Sequence, residues 1–241
     1  VRYNDKRLLR WLLRREDFIP SKFGDYYAFL HGNVQFVKML IADSKVDMDT
    51  VYSNIFTMVN TPFTWLCGFP TEDWNDDKRN EYVSFILSKR GRDVKTKHNM
   101  YVASLQASEC GYDGILDLLS KHGMLMVNAI GTNLETPLFK SLGARSEKCC
   151  SLLLKRYAAE IDPCHKSGYG VTAFDECIIC GLETTLHELI DRGMAYGRDP
   201  NIEVKRRLDR KVRVYMILRR VFIQWSLPEA VLKWMFVRYR I

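Results

Sequence analysis

The stretch 172–193, TAFDECIICGLETTLHELIDRG, reads as two short antiparallel helices, each closed by a glycine. Thr172 is placed to cap the first helix with its hydroxyl, and Phe174, Cys177 and Ile178 fall at helical spacing before Gly181 ends it. Leu182, Leu186, Leu189 and Ile190 form a second apolar stripe that stops at Gly193. A unit this small cannot bury two stripes by itself, so the fold turns on whether the pattern recurs.

It does recur. Thr61-Pro62-Phe63 and Thr136-Pro137-Leu138 repeat the opening Thr172-Ala173-Phe174. Ala28 with Gly32, and Ala107 with Gly111, precede the apolar runs Met39-Leu40-Ile41 and Leu118-Leu119, and Gly91, Gly123 and Gly193 stand where second helices close. Taking Asp25, Phe63, Ser104, Leu138 and Phe174 as equivalent gives spacings of 38, 41, 34 and 36 residues. The Thr-Pro-Leu opening, the alanine, the two glycines and a period near 33 together resemble the ankyrin-repeat family.

That resemblance implies an all-α fold, a solenoid of about five degenerate helix pairs over residues 21–195. Residues 1–20 would form an N-terminal capping helix, residues 68–80 an insertion in the second repeat, and residues 196–241 a basic helical tail. Thr64, Phe139 and Asp175 replace the histidine that follows the leucine in the family, so a weaker hydrogen-bonded loop network is expected. Leu8, Leu9, Trp11, Leu12 and Leu13 carry the apolar stripe of the capping helix.

Composition narrows the function. The chain has 241 residues, 47% of them hydrophobic, with no uninterrupted apolar run of membrane length, so no membrane span is expected. Seven cysteines, an odd number that includes the adjacent Cys149 and Cys150, argue against a disulfide framework and for a reducing intracellular setting, cytoplasmic before nuclear, with an organelle left open. The arginine-rich first fifteen residues do not read as a secretory signal, and a start at Val1 reads as a fragment or processed product.

The net charge of +7 is uneven. Residues 192–241 hold 13 Lys and Arg against 4 Asp and Glu, a net +9, leaving 23 against 25, or −2, for everything before. Basicity is therefore read as a property of the tail.

Chemical motifs are sparse. There is no phosphate-binding glycine loop, nucleophile elbow or metal-binding His-Glu-x-x-His helix, and the five histidines share no spacing that a dyad would need. Cys177 and Cys180, with Cys164-His165 upstream, have ligand-like spacing, but inside a helix they read as packing residues. No catalytic residue, metal or cofactor is expected.

The tail has three readings. Val204, Leu208, Val212, Tyr215, Leu218 and Phe222 form one stripe, consistent with a cap on the last repeat. LRRVFIQWSLPEAVLKWMFVRY resembles the C-terminal part of a SOCS box or an F-box-like tail, on Leu227, Pro228, Val231, Leu232, Met235 and Phe236. This resemblance implies a ubiquitin-ligase adaptor binding elongins and a cullin, or Skp1. Lys205, Arg206, Arg207, Arg210, Lys211 and Arg213 form a basic face suited to RNA or an acidic protein, as in a ribonucleoprotein subunit. An ankyrin array holds protein partners on a rigid concave face of loop tips and first helices. The residues expected there are Tyr26, Tyr27, Asn60, Trp65, Trp74, Asn99, Tyr101, Asn133, Lys140 and Tyr169. The expected function is thus a non-enzymatic protein-interaction scaffold.

Overall fold

The computed structural model describes residues 6–17, 34–43, 52–53, 59–68 and 75–194. The described chain is mainly helical and divides into two compact units, Val1–Met126 and Val127–Ile241. Among the described residues, no helix is long and apolar enough to cross a membrane.

In the first unit, α1 (Lys6–Arg14) packs on α2 (Val34–Ala42), and Leu9 is the residue of the N-terminal stripe that is fully buried. Strands β1 (Tyr52–Ser53) and β2 (Val59–Asn60) pair antiparallel, Tyr52 facing Asn60. Two helix pairs follow, α3 (Pro62–Gly68) with α4 (Asp76–Val94), and α5 (Lys97–Glu109) with α6 (Asp113–Lys121). First helix packs on first and second on second, α3 against α5 and α4 against α6. Phe63, Leu66, Tyr82, Val83, Ile86, Ala103, Ala107, Ile115, Leu116 and Leu119 are buried by this arrangement. Covering a leucine-sized side chain contributes about 2 kcal/mol, so the rows hold together by faces that no single pair could cover.

Three expectations change here. The insertion is shorter than 68–80: Gly68 ends α3, Asn75 caps α4 by accepting from the Lys78 amide at 2.9 Å, and residues 76–80 are the first turn of α4. The helix expected to open near Ser104, the position set equivalent to Phe63, starts earlier. It begins at Lys97, capped by Thr96, and Ser104 lies in mid-helix, its hydroxyl donating to Met100 O. Gly91 does not close a helix in the left-handed region. The break in α4 falls at Arg90 (φ −128°, ψ 24°), whose guanidinium donates to Ile41 O and Asp43 O and pairs with Asp93.

Arg79 is 1% exposed, and its guanidinium is engaged on two sides. Nη1 donates to Leu66 O at 2.9 Å, in the last turn of α3 where helix carbonyls attract a cation, and the guanidinium lies 4.5 Å from the centre of the Tyr112 ring. One side chain of α4 thereby fastens the end of α3 to the turn before α6.

The second unit repeats the arrangement. α7 (Pro137–Gly143) pairs with α8 (Glu147–Tyr157), and α9 (Ala173–Cys180) with α10 (Glu183–Asp191). α7 packs on α9 and α8 on α10, burying Leu138, Leu142, Leu153, Leu154, Phe174, Ile178, Leu186 and Leu189.

The expected weakness of the loop network is confined to one of the three openings. Thr64 and Asp175 each rebuild a reciprocal cap. Thr61 N donates to Thr64 Oγ1 and Thr64 N to Thr61 Oγ1, while Thr172 N donates to Asp175 Oδ2 and Asp175 N to Thr172 Oγ1. Asn99 extends the first, accepting from Thr61 Oγ1 at 2.6 Å and donating to Val94 O at 3.0 Å. At Thr136 the side chain makes no cap bond, and Phe139 has no side-chain acceptor to return one to the Thr136 amide.

The inter-helix turns are also equivalent. Gly111 and Gly181 both take φ of 71°, and Arg145 takes φ of 55° at the same place. In each turn the residue after the left-handed one donates back into the preceding helix: Tyr112 N to Ala107 O, Ser146 N to Ser141 O, Leu182 N to Cys177 O. A side chain at this angle costs about 1 kcal/mol that glycine avoids. Urea denaturation should therefore find Gly181→Ala destabilised by about 1 kcal/mol and Arg145→Gly at least as stable as the parent, since relief of strain offsets the greater freedom of unfolded glycine. A destabilised Arg145→Gly together with a neutral Gly181→Ala would contradict the assignment.

A candidate interaction surface of paired loops

Within the second unit, the chain between Val127 and Thr136 and the chain between Ile161 and Thr172 form two loops that lean on each other. The first turns back through Gly131 N to Glu135 O at 2.9 Å, enclosing a 3₁₀ turn, Thr132–Leu134. Asn133 and Leu134 both sit in the left-handed region, with φ of 56° and 55°. Asn tolerates this conformation and Leu does not, so the surroundings must hold Leu134 there.

The second loop does that. His165 Nε2 lies 2.7 Å from Leu134 O, so the tautomer protonated at Nε2 donates to it. Gly168 N donates to Asn133 O at 2.5 Å, and a Cβ on Gly168 would stand only 3.1 Å from that oxygen, so glycine permits the approach. Asn133 Nδ2 reaches Tyr169 OH at 3.4 Å, and the second loop closes on itself through Ser167 N to Val171 O at 2.9 Å. Phe139, freed from capping, is buried with its ring edge-on to His165 at 5.9 Å between centroids. Lys140 braces the base by pairing with Glu135 at 3.2 Å.

The result is a fixed surface carrying three large apolar side chains in water: Ile130 is 47% exposed, Leu134 53% and Tyr169 55%. Beside Ile130 is a cleft of about 130 Å³ bordered by Asn128, Ile130, Leu138, Phe139, Asp162 and His165. That is below the range of about 300–1,000 Å³ usual for small-molecule sites, and it suits a single side chain.

The expected contact residues divide accordingly. Asn133 and Tyr169 meet on this surface and Lys140 supports it, while Tyr101 is exposed on α5 in the first unit. Trp65 and Asn99 are corrected. Trp65 is 4% exposed and Asn99 fully buried in the cap network, so both hold the first unit together and neither can meet a partner. Trp65 was expected on an open inner face, but it is buried in α3, a helix that packs against α5. Asn60 pairs through its backbone in β2. Tyr26, Tyr27 and Trp74 lie outside the described residues, as do the tail residues Leu227, Pro228, Val231, Leu232 and Met235 and the basic face from Lys205 to Arg213. Sequence reading missed Ile130, Leu134 and the brace from His165; the only signal was an apolar residue on each side of the turn Gly131-Thr132-Asn133.

The thiols do not converge on a ligand. Cys177 Sγ donates to Leu182 O and Cys180 Sγ to Glu176 Oε1, Cys164 is exposed, and His165 is turned to the first loop. Burial, followed by neighbouring Cys149 for Cys150 and by Cys150 for Cys177, pushes both thiols well above the ordinary range, so both stay protonated near neutral pH. Among the described residues, no group of three or more His, Cys, Asp or Glu could hold a metal ion.

A scan of protein-family models finds no match for this chain, and a search of curated proteins finds no significant similarity.

If the His165 brace holds the first loop, His165→Ala should speed amide hydrogen exchange in residues 131–135 and cost about 1 kcal/mol, with α7 and α9 unchanged. Unaltered exchange in that segment would show that the loop holds its conformation unaided.

Proposed function

We propose that this chain is a non-enzymatic protein-interaction module, an ankyrin-type array of helix pairs whose loop tips present a preformed surface to a protein partner. The observation that carries the reading is the pair of loops in the second unit. They are cross-tied at Asn133, Leu134, His165 and Gly168 while Ile130, Leu134 and Tyr169 stay in water. Ordering a loop and exposing three large apolar side chains are both unfavourable for the free protein, and a partner recovers both. Tyr169 and Leu134 would act as anchors, the small cleft would take one side chain from the partner, and Asn133 would supply polar contacts. The repeat openings, the left-handed inter-helix turns and the row-on-row packing within each unit support the family reading.

The test is quantitative affinity purification from the native source, comparing the parent with Leu134→Ser/Tyr169→Ala. A companion recovered in stoichiometric amount by the parent should fall by about tenfold or more with the double variant, the loss expected for one or two anchor residues, while circular dichroism is unchanged. Undiminished recovery of every companion would remove this surface from the account.

A further inference from the structure

The first unit holds a second feature, independent of the paired loops. The segment 89–98, KRGRDVKTKH, carries five lysines and arginines against one aspartate, a concentration hidden by the near-neutral total for residues 1–191. The break at Arg90 turns the end of α4 away from the helix axis, and a cleft of about 440 Å³ opens between it and the end of α6. Lys89, Arg90, Arg92, Lys95 and His122 border this cleft, with Asp93 the one acid.

The charges are not equally engaged. Arg90 is taken up by Asp93 and by two carbonyls, so the acid is neutralised from within. Lys95 Nζ lies 3.5 Å from His122 O, where the last carbonyls of α6 attract a cation, so it has a structural role as well. Lys89 and Arg92 are exposed and have no ion-pair partner among the described residues. The cleft therefore carries an excess of positive charge that no acidic side chain bordering it offsets.

We infer that this cleft is a binding site for phosphate groups. Size and charge both fit: the volume is within the range of small-ligand sites, and the planar guanidinium of Arg92 can offer paired donors to phosphate oxygens beside the point charges of Lys89 and Lys95. An acidic peptide fits less well. Each carboxylate brings a single charge, and the two large apolar residues of the wall, Leu87 and Met124, are buried at 5% and 1% exposure, so a peptide would find no apolar anchor beside the cations. A phosphate group concentrates its charge and needs no such anchor. The phosphate could be carried by a nucleic-acid backbone or by a small molecule, and neither Phe, Tyr nor Trp borders the cleft among the described residues, the His122 imidazole being its one ring, so strong sequence preference is not expected.

The test measures binding of the full chain to inorganic pyrophosphate by calorimetry, and to a short single-stranded RNA and polyglutamate by fluorescence anisotropy. The parent is compared with Lys89→Glu/Arg92→Glu and with a tail control, Arg206→Glu/Arg207→Glu. Both side chains of the first variant are exposed, so its urea midpoint should match the parent's. The expected result is a loss of pyrophosphate affinity of at least about tenfold in the cleft variant and none in the tail control. An equal loss for RNA in the cleft variant would identify a nucleic-acid backbone as the carrier, and a loss for pyrophosphate alone a small phosphate. The inference is overturned if the parent does not bind pyrophosphate, if the cleft variant binds it as well as the parent, or if polyglutamate binds as tightly as the phosphate probes with the same sensitivity.

Discussion

The structure of each unit depends on one constraint: a helix pair of this length has two apolar faces and can cover only one of them against itself. The remaining face is buried by the corresponding helix of the next pair. In the first unit α3 meets α5 and α4 meets α6; in the second α7 meets α9 and α8 meets α10. The caps, the left-handed turns and the buried Arg79 fix the angle and spacing at which those faces meet. Small residues set how close the rows come. A Cβ on Gly68 would fall 2.2 Å from Gln106 Cβ, and Ala103 and Ala107 line α5 without exposure.

The helices were legible because their signals are local. Thr61, Thr136 and Thr172 each stand at a helix start, and Gly111 and Gly181 each stand in a left-handed turn. Where the local signal was ambiguous, packing decided. α5 reaches back to Lys97 because Thr96 offers a better cap than anything near Ala103, and α4 breaks at Arg90, whose guanidinium finds carbonyls on a neighbouring segment. The histidine missing from each opening mattered less than expected, since a hydroxyl at Thr64 or a carboxylate at Asp175 accepts the same backbone amide. Arg145 is the converse case, a left-handed position that nothing in its residue type announces.

Functional residues were less legible, for a reason tied to the same constraint. Aromatic and amide residues at helix starts are equally suited to a partner and to the next helix row, and only the packing distinguishes them. Trp65 and Asn99 went inward, whereas Tyr169 sits beyond the last ladder bond of its loop and stayed out. The brace between His165 and Leu134 spans 31 positions and has no sequence signature. The basic cleft was hidden by averaging: residues 1–191 sum to nearly zero, but a helix break gathers their cations at one place.

The most direct measurement of the central claim is the urea stability of Gly68→Ala beside Gly91→Ala. Gly68 lies where α3 and α5 touch, and its new methyl would collide with Gln106 near the backbone; nothing stands within 4 Å of a methyl at Gly91. If close row-on-row packing holds the first unit together, Gly68→Ala should lose about 2 kcal/mol and Gly91→Ala should lose nothing. Equal stability of Gly68→Ala and the parent would contradict the account.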